Sequence, residues 1–448
     1  MHGLGALLIT ISGLSPSIGV FIVGNDVLHS AGTSVFLCFV AAAVLGLFMA
    51  AVYGELASAF PDTGGEYTIM STALGPPWGV AGLAICMVGY AASQPLSGQG
   101  VASYLAVVWP GLQPAPTAAV LVTLVTLVGV LNIRINALVT GVFLGVEFLA
   151  LVVVGALGFL HPHRSIATAV LNPVVLGAHG GFAPVALAVA GSSVAGAIYA
   201  FNGYGSAVYL GEEIHEAPKR MAAVVFISLG VAVVLELLPL LAVLIGAPDL
   251  HALLAAPAPI SHFVAVVGGP VLGRVMSLGV ALAIFNAMIA VALSAGRQLY
   301  STGRDGLWPA PISRALAQIH PRFESPWIAT LVIGAAGLLG CFIDPKLLVL
   351  ILGNGNVALY AGLCLAVLMG RKSGATGHGH YKMPLHPWPS ILALLFLAGV
   401  VWFDLHDVSG AEGLAATVVT VVAAMLYSQF VLKKRGDWVY SAKSKVAG

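Results

Sequence analysis

Charged side chains are scarce in this sequence. Lys and Arg number 18 and Asp and Glu 17, together 8% of 448 residues, against roughly 25% in an ordinary soluble domain. A soluble chain of this length needs a large hydrated surface, which so few charges cannot supply. Nucleic-acid binders and disordered scaffolds are excluded on the same ground, because both depend on abundant charge. Cysteine is also rare: Cys38, Cys86, Cys341 and Cys364 all lie in apolar stretches, where cysteine behaves as a small hydrophobe, so no disulfide framework is expected. No Gly-x-x-x-x-Gly-Lys motif appears, which disfavours an ATP-driven pump. The segment Met1-His2-Gly3-Leu4-Gly5 lacks a basic leader and a cleavage site, so no removed signal peptide is expected and the first apolar segment reads as a permanent span.

What is present is apolar: 59% of residues are hydrophobic and the mean hydropathy is +1.01. Unbroken runs such as Leu45 to Val52 and Phe148 to Leu157 exclude an outer-membrane barrel, whose strands alternate in polarity. Crossing a ~30 Å hydrocarbon core takes about 20 apolar residues. Twelve such spans can be placed, near 4–30, 33–58, 77–108, 116–133, 136–160, 185–214, 222–246, 270–300, 326–343, 346–370, 388–404 and 411–432. The expectation is an all-α polytopic membrane protein with both termini on one side. Every Lys and Arg except Arg164, Arg274 and Lys346 then falls on the side of the termini. Basic residues concentrate on the cytoplasmic side, so both termini are expected in the cytoplasm and the chain in the cytoplasmic (inner) membrane. The net charge of +1 says nothing about partners.

Two spans differ from the rest. Span 1 reads Ser12-Gly13-Leu14-Ser15-Pro16-Ser17-Ile18-Gly19, and span 6 reads Tyr199-Ala200-Phe201-Asn202-Gly203-Tyr204-Gly205-Ser206. Proline removes a backbone donor and glycine weakens a helix by about 1 kcal/mol relative to alanine. Either span alone could simply carry helix-packing glycines. As a pair they say more. They lie five spans apart, so they occupy matching positions in two five-span halves, and an odd count gives the halves opposite orientations. Matching interruptions in inverted halves point to the binding site of a secondary transporter. The expected organisation is a first repeat over 1–160, a second over 185–370, spans 11 and 12 over 388–432, and a basic cytoplasmic tail over 433–448.

Three motifs carry a family resemblance. Glu55-Leu56-Ala57-Ser58-Ala59-Phe60-Pro61 with Gly64-Gly65-Glu66-Tyr67 closes span 2. Gly211-Glu212-Glu213 with Ala217-Pro218-Lys219-Arg220 follows span 6. Arg297-Gln298-Leu299-Tyr300 with Gly303-Arg304-Asp305-Gly306-Leu307-Trp308-Pro309 closes span 8. In order and spacing these resemble the amino acid–polyamine–organocation (APC) transporter superfamily across spans 1 to 9. The resemblance implies a LeuT-type five-plus-five inverted repeat with broken helices 1 and 6 plus two extra helices. It also implies alternating-access transport of an amino acid or related amine.

A broken helix supplies free N–H groups and a positive dipole end for a carboxylate; here these are the amides of Ser17, Ile18 and Gly19. Free carbonyls for an ammonium are those of Gly13 and Leu14 in span 1 and of Tyr199, Ala200 and Phe201 in span 6. Tyr199 or Phe201 suits an aromatic gate, although aromatics in spans more often pack. Around Gly203, Asn202 and Tyr204 make the second break polar but neutral. Gly205 stands where many relatives carry an acid, so coupling through that acid cannot be carried over, and a neutral amino acid is favoured. Tyr90, Ser93, Gln94 and Ser97 share one face of span 3, since three- and four-residue steps stay on one side. That face either lines the cavity or forms interhelical hydrogen bonds. Asn286, Asn354 and Asn356 are weaker candidates of the same kind.

Glu147 lies about 16 Å along span 5 at roughly 1.5 Å per residue, near the bilayer centre. An ionisable group there is a functional candidate by default, read as a proton or cation coupling residue or else as a structural acid. Glu236 is the other deep acid, expected nearer the outer face, and Asp26 sits at the outer end of span 1. The 13 histidines suggest no metal site, and no cofactor or enzymatic constellation is expected. The leading expectation is a secondary active transporter of an amino acid, proton-coupled or exchanging. The alternatives are an amine or polyamine transporter, or a sensor or assembly subunit without turnover. Its partners would be the substrate and the lipid bilayer, with the chain a monomer or homodimer and no nucleic acid involved.

Overall fold

The structure is a computed structural model, in which residues 10, 14–60, 65–131, 137–177, 180–206, 208 and 217–435 are described. The helices, in chain order, are α1 (Asn25–Ala31), α2 (Val35–Ala59), α3 (Gly65–Leu74), α4 (Pro76–Val108), α5 (Pro114–Val130), α6 (Ala137–Leu160), α7 (Ile166–Leu171), α8 (Leu187–Ala200), α9 (Ala217–Gly246), α10 (Leu250–Ala255) and α11 (Pro259–Gly268). They continue with α12 (Pro270–Arg304), α13 (Ala310–Leu316), α14 (Trp327–Gly340), α15 (Pro345–Ser373), α16 (Trp388–Asp404), α17 (Val408–Tyr427) and α18 (Lys433–Arg435). A π-helical stretch, Ile18–Gly24, leads into α1, and a second, Ser428–Leu432, follows α17.

Seven helical segments among the described residues are long and apolar enough to cross a membrane: Ile18–Ala59, Pro76–Val108, Gly141–Leu160, Pro218–Gly246, Pro270–Arg304, Pro345–Ser373 and Val408–Arg435. Shorter apolar helices accompany them, α5, α11, α14 and α16. Large apolar side chains such as Leu47, Leu149, Val275, Leu339 and Trp402 face outward, as a surface in contact with lipid requires. The chain is a multi-pass membrane protein. Within Ile18–Ala59 the chain doubles back at Gly32, whose φ of +57° suits glycine. A Cβ there would run into the Val174 carbonyl.

One feature departs from the all-α expectation. A short antiparallel hairpin, β1 (Val174–Leu176) with β2 (Phe182–Pro184), pairs Val175 with Ala183. Its local cause is β-branched Val174-Val175 followed by a glycine turn, with Gly180 at φ +76° and the Gly177 amide bonded to the Gly181 carbonyl at 2.8 Å. The hairpin caps the turn between α1 and α2, where the Val174 amide donates to Thr33 Oγ1 at 2.9 Å.

Around the centre, α9 packs on α2 and α6, α12 on α4, and α15 on α8, α4 and α17. Small residues make the closest approaches: Gly158 of α6 meets the backbone of Ala242, and Gly353 of α15 meets that of Ala195. Without water between helices, such backbone approach is a main source of packing energy.

A polar lock holds α2 to α15 at one end of the bundle. Arg371 grips Glu55 with two hydrogen bonds of 2.7 Å, Nε to Oε1 and Nη2 to Oε2. Glu55 is fully buried and also accepts from the Met383 amide at 2.8 Å. Ser58 donates to the Pro218 carbonyl and accepts from the Tyr381 amide, tying α9 and the 374–387 connection to the same corner. Burial and the Arg371 charge together hold the nearby His386 imidazole below its ordinary pKa. Arg371→Ala would leave Glu55 buried without its cation, a loss of about 3–5 kcal/mol, seen as a lowered unfolding midpoint in detergent. Exchanging both partners, Glu55→Leu with Arg371→Met, is expected to cost less than the single change.

Candidate functional site

The first interruption falls at Ser15, whose φ of +45° is left-handed. Proline disfavours helical geometry in the residue before it, and Pro16 then opens the next helical stretch. Past the break the Ser17 and Ile18 amides are both bonded, although Ser17 Oγ is buried without a partner. The Ser17 amide donates to Glu147 Oε1 at 2.7 Å, Ser15 Oγ donates to the same oxygen at 3.0 Å, and the Ile18 amide bonds the Ser15 carbonyl at 2.9 Å. One turn on, the Phe21 carbonyl accepts from Asn25 Nδ2 at 2.7 Å and from the Tyr104 hydroxyl at 2.8 Å. Asn25 Oδ1 in turn accepts the Ile260 amide at 3.1 Å. The π-helical stretch is thus held by side chains of α6, α4 and α1.

The second interruption follows α8. Phe201, Asn202 and Gly203 form a turn, and Gly203 takes a φ of +128°. There the two breaks touch: a Cβ on Gly203 would lie 2.6 Å from the Leu14 Cα. Only glycine permits both that backbone angle and that approach.

Beside this contact lies a cavity of about 230 Å³, below the ~300–1,000 Å³ of typical drug-sized sites and suited to a small metabolite. The breaks line it with Leu14, Ile18, Tyr199, Ala200, Asn202, Gly203 and Ser206, and α4 with Tyr90, Ser93, Gln94 and Ser97. Opposite them, Met288, Val291, Ile351, Leu352 and Leu359 give an aliphatic wall, and Asn356, Thr417 and Thr420 add polar groups. Gln94 is pinned by a bond from Nε2 to the Met288 carbonyl at 2.9 Å. Its Oε1, and Asn356 Nδ2, are buried without a hydrogen-bond partner.

The sequence-derived candidates therefore separate. Leu14, Ile18, Tyr90, Gln94, Tyr199, Asn202 and Gly203 converge on the cavity, as do Ser93 and Ser97. Gly13 lies outside the described residues. Ser17 and Gly19 face away from the cavity lining, toward Glu147 and Glu236 respectively. Phe201 packs edge-on against Phe39 at 5.7 Å, and Tyr204 against Tyr53 at 5.8 Å, so both sit behind the cavity wall. Glu147 touches the first break rather than the cavity. Glu236 presses on Gly19 of the same stretch, two residues beyond the Ser17 amide that Glu147 holds. Asp26 lines a crevice of about 10 Å³ with Lys346 and Asp407, and Asn354 is buried outside the cavity lining.

Of the lining residues that the sequence does not single out, one is a carboxylate. Glu66, on α3, reaches the cavity and accepts the Tyr53 hydroxyl at 3.0 Å. In the sequence it reads only as part of a motif at the end of a span, and its approach to the cavity depends on how α3 folds back. Among the described residues no group of three or more His, Cys, Asp or Glu is placed to hold a metal ion.

The amino acid permease family matches residues 3–424 of the chain. The chain belongs to that family. The permease is 31% identical over 339 residues to an uncharacterized transporter of Mycobacterium tuberculosis, covering 74% of this chain and 72% of that one. It is 24% identical to a methylthioribose transporter of Bacillus subtilis, over 91% of this chain and 88% of the other. A branched-chain amino acid permease of the same organism is 24% identical, over 95% and 93%. Membership identifies the permease as a transporter, in agreement with the APC resemblance of its motifs.

The contact between the breaks makes a direct prediction for the permease. Gly203→Ala forces both a disfavoured φ and a clash with Leu14, and is expected to cost about 2 kcal/mol or more, measured as a drop in the unfolding midpoint. Gly145→Ala, inside α6 where nothing lies within 4 Å, is the control and should hold the midpoint or raise it slightly, since alanine favours helix over glycine.

Proposed function

We propose that this permease is a secondary active transporter that moves an amino acid, preferentially a neutral one, across the cytoplasmic membrane by alternating access. In this reading it has twelve spans arranged as two inverted five-span halves, 1–160 and 185–370, with two further spans, and both termini are cytoplasmic. The observation that carries the reading is the meeting of the two interrupted segments, Leu14 against Gly203, at the edge of one small cavity. Interrupted helices in corresponding positions are where such transporters hold substrate.

The chemistry of the walls supports an amino acid. Asn356 Nδ2 is a buried donor without a partner and suits a carboxylate; Gln94 Oε1 is a buried acceptor without a partner and suits an ammonium. An unmet buried polar group is costly, and a zwitterion would satisfy both. Ser17 and Ile18 already spend their amides within the protein, so the break offers the cavity its dipole end rather than a set of free donors. The aliphatic wall of Val291, Ile351 and Leu352 suits an apolar side chain, a preference in line with a relative named for branched-chain amino acids. Glu66 favours a second reading, an organic amine, because a carboxylate at the cavity attracts cations. A sensor or assembly subunit would bind ligand without flux.

Coupling is assigned to protons through Glu147, whose carboxylate holds the first break; exchange without a proton is the other mode. Uptake of labelled amino acids, amines and methylthioribose into proteoliposomes, with and without a pH gradient, tests these readings together. Neutral amino acids should be taken up; thermal stabilisation without flux would identify a sensor. Gln94→Ala and Asn356→Ala should each lower uptake about tenfold or more, since hydrogen bonds to charged groups contribute about 1.5–3 kcal/mol. Glu147→Gln is expected to lower uptake or remove its pH dependence, and unchanged flux with an unchanged pH profile would mark the residue as structural.

A further inference from the structure

The first break has a second face, turned away from the cavity. Glu147 of α6 reaches Ser15 and Ser17, while Glu236 of α9 reaches Gly19, two residues further on. The helices carrying these acids pack against each other. The two carboxyl groups are held very differently. Glu147 Oε1 accepts two hydrogen bonds, from a backbone amide at 2.7 Å and a hydroxyl at 3.0 Å. Glu236 is fully buried, and neither of its oxygens has a hydrogen-bond partner. Its carboxyl carbon lies where a Cβ on Gly19 would be only 2.6 Å away, so the group is pressed against bare backbone.

We infer that Glu147 and Glu236 form a one-proton site across the first break, with the proton on Glu236 and the negative charge on Glu147. The argument rests on donors and neighbours. An ionised carboxylate in a dry interior needs hydrogen bonds or a cation, and Glu147 has two donors while Glu236 has none. Among the described residues no Lys, Arg or His forms an ion pair with either acid. The other elements packed on α9 do not change this. The stretch Ile18–Gly24 and α7 carry no titratable side chain, and α11 carries only His262. On α2, Cys38 is bonded to the Ala190 carbonyl, Tyr53 to Glu66, and Glu55 to Arg371. On α6, the remaining helix packed on α9, the one titratable side chain is Glu147. A proton fits better than a metal ion, which needs several oxygen ligands at about 2.0–2.6 Å; the close approach of Gly19 crowds one side of Glu236.

The coupling role of this site rests on the transport reading above, but the site itself does not, and infrared spectroscopy of the purified full-length protein separates the two. A protonated carboxyl gives a carbonyl stretch that an ionised one lacks. At neutral pH that band should lose one component in Glu236→Gln and keep it in Glu147→Gln. An unchanged band in Glu236→Gln, or loss of the component in Glu147→Gln alone, would overturn the assignment. So would loss of the component when sodium or potassium chloride is added at constant pH, since a cation would then hold the site. If Glu236→Gln is not recovered folded, Glu236→Asp keeps a carboxyl and should shift the component; an unshifted band counts equally against the proposal. Uptake measured in the same variants tests coupling on its own. A Glu236 component with pH-independent uptake would keep the site and reject its coupling role.

Discussion

A helix interrupted inside a membrane must find bonds for its freed backbone groups within the protein, because hydrocarbon offers none. Much of the centre of this structure answers that requirement at one place, residues 15–21. Glu147 comes in from α6 to take the Ser17 amide, Tyr104 from α4 and Asn25 from α1 share the Phe21 carbonyl, and α11 is tied in through the Ile260 amide. Four elements are thereby positioned by the polar groups of a few residues. A left-handed serine ahead of a proline carries strain of order 1–3 kcal/mol, and these bonds hold it in place.

The same requirement explains why the second break lies where it does. Once the first segment is pinned from α6 and α4, its open side is the one facing Gly203, and the backbone there can come within contact of Leu14 only without a side chain. The cavity is the space left beside that contact. Its polar groups come from α3, α4, α15, α17 and the two breaks, and its apolar wall from α12 and α15. Farther along the bundle, the Glu55–Arg371 pair fixes α2 to α15 with bonds of 2.7 Å.

Much of this could be read from the residues. Scarce charge and long apolar runs dictate a membrane protein, and the seven membrane-length helical segments among the described residues fall on the segments that the runs define. The positions of both breaks follow from proline and glycine chemistry at Ser15-Pro16 and Asn202-Gly203. The polar face of α4 follows from helical periodicity, and all of Tyr90, Ser93, Gln94 and Ser97 reach the cavity. What stayed illegible are the directions of side chains next to irregular backbone. Periodicity has no meaning across a turn, so it could not separate Tyr199, which lines the cavity, from Phe201 and Tyr204, which pack behind it against Phe39 and Tyr53. That Glu236 meets Gly19 was equally hidden, because what a buried acid touches is set by the neighbouring segment, not by its own span. The β1–β2 hairpin lay inside a connection, where short strands leave little pattern.

The pinned stretch also bears on how a substrate and a proton would influence each other under the proposed function. Coupling between two ligands needs an element with two arrangements that both of them bias. Residues 14–19 have the cavity on one side, through Leu14 and Ile18, and the acid pair on the other, through Ser15, Ser17 and Gly19. A ligand at Ile18 and a change of charge at Glu147 would therefore act on the same few peptide groups. Moving the proton would alter how strongly Glu147 holds the Ser17 amide, and so how freely the break can shift against Gly203. Coupling by this route needs no acid in the second break. The two sites need not touch, because the backbone between them is shared.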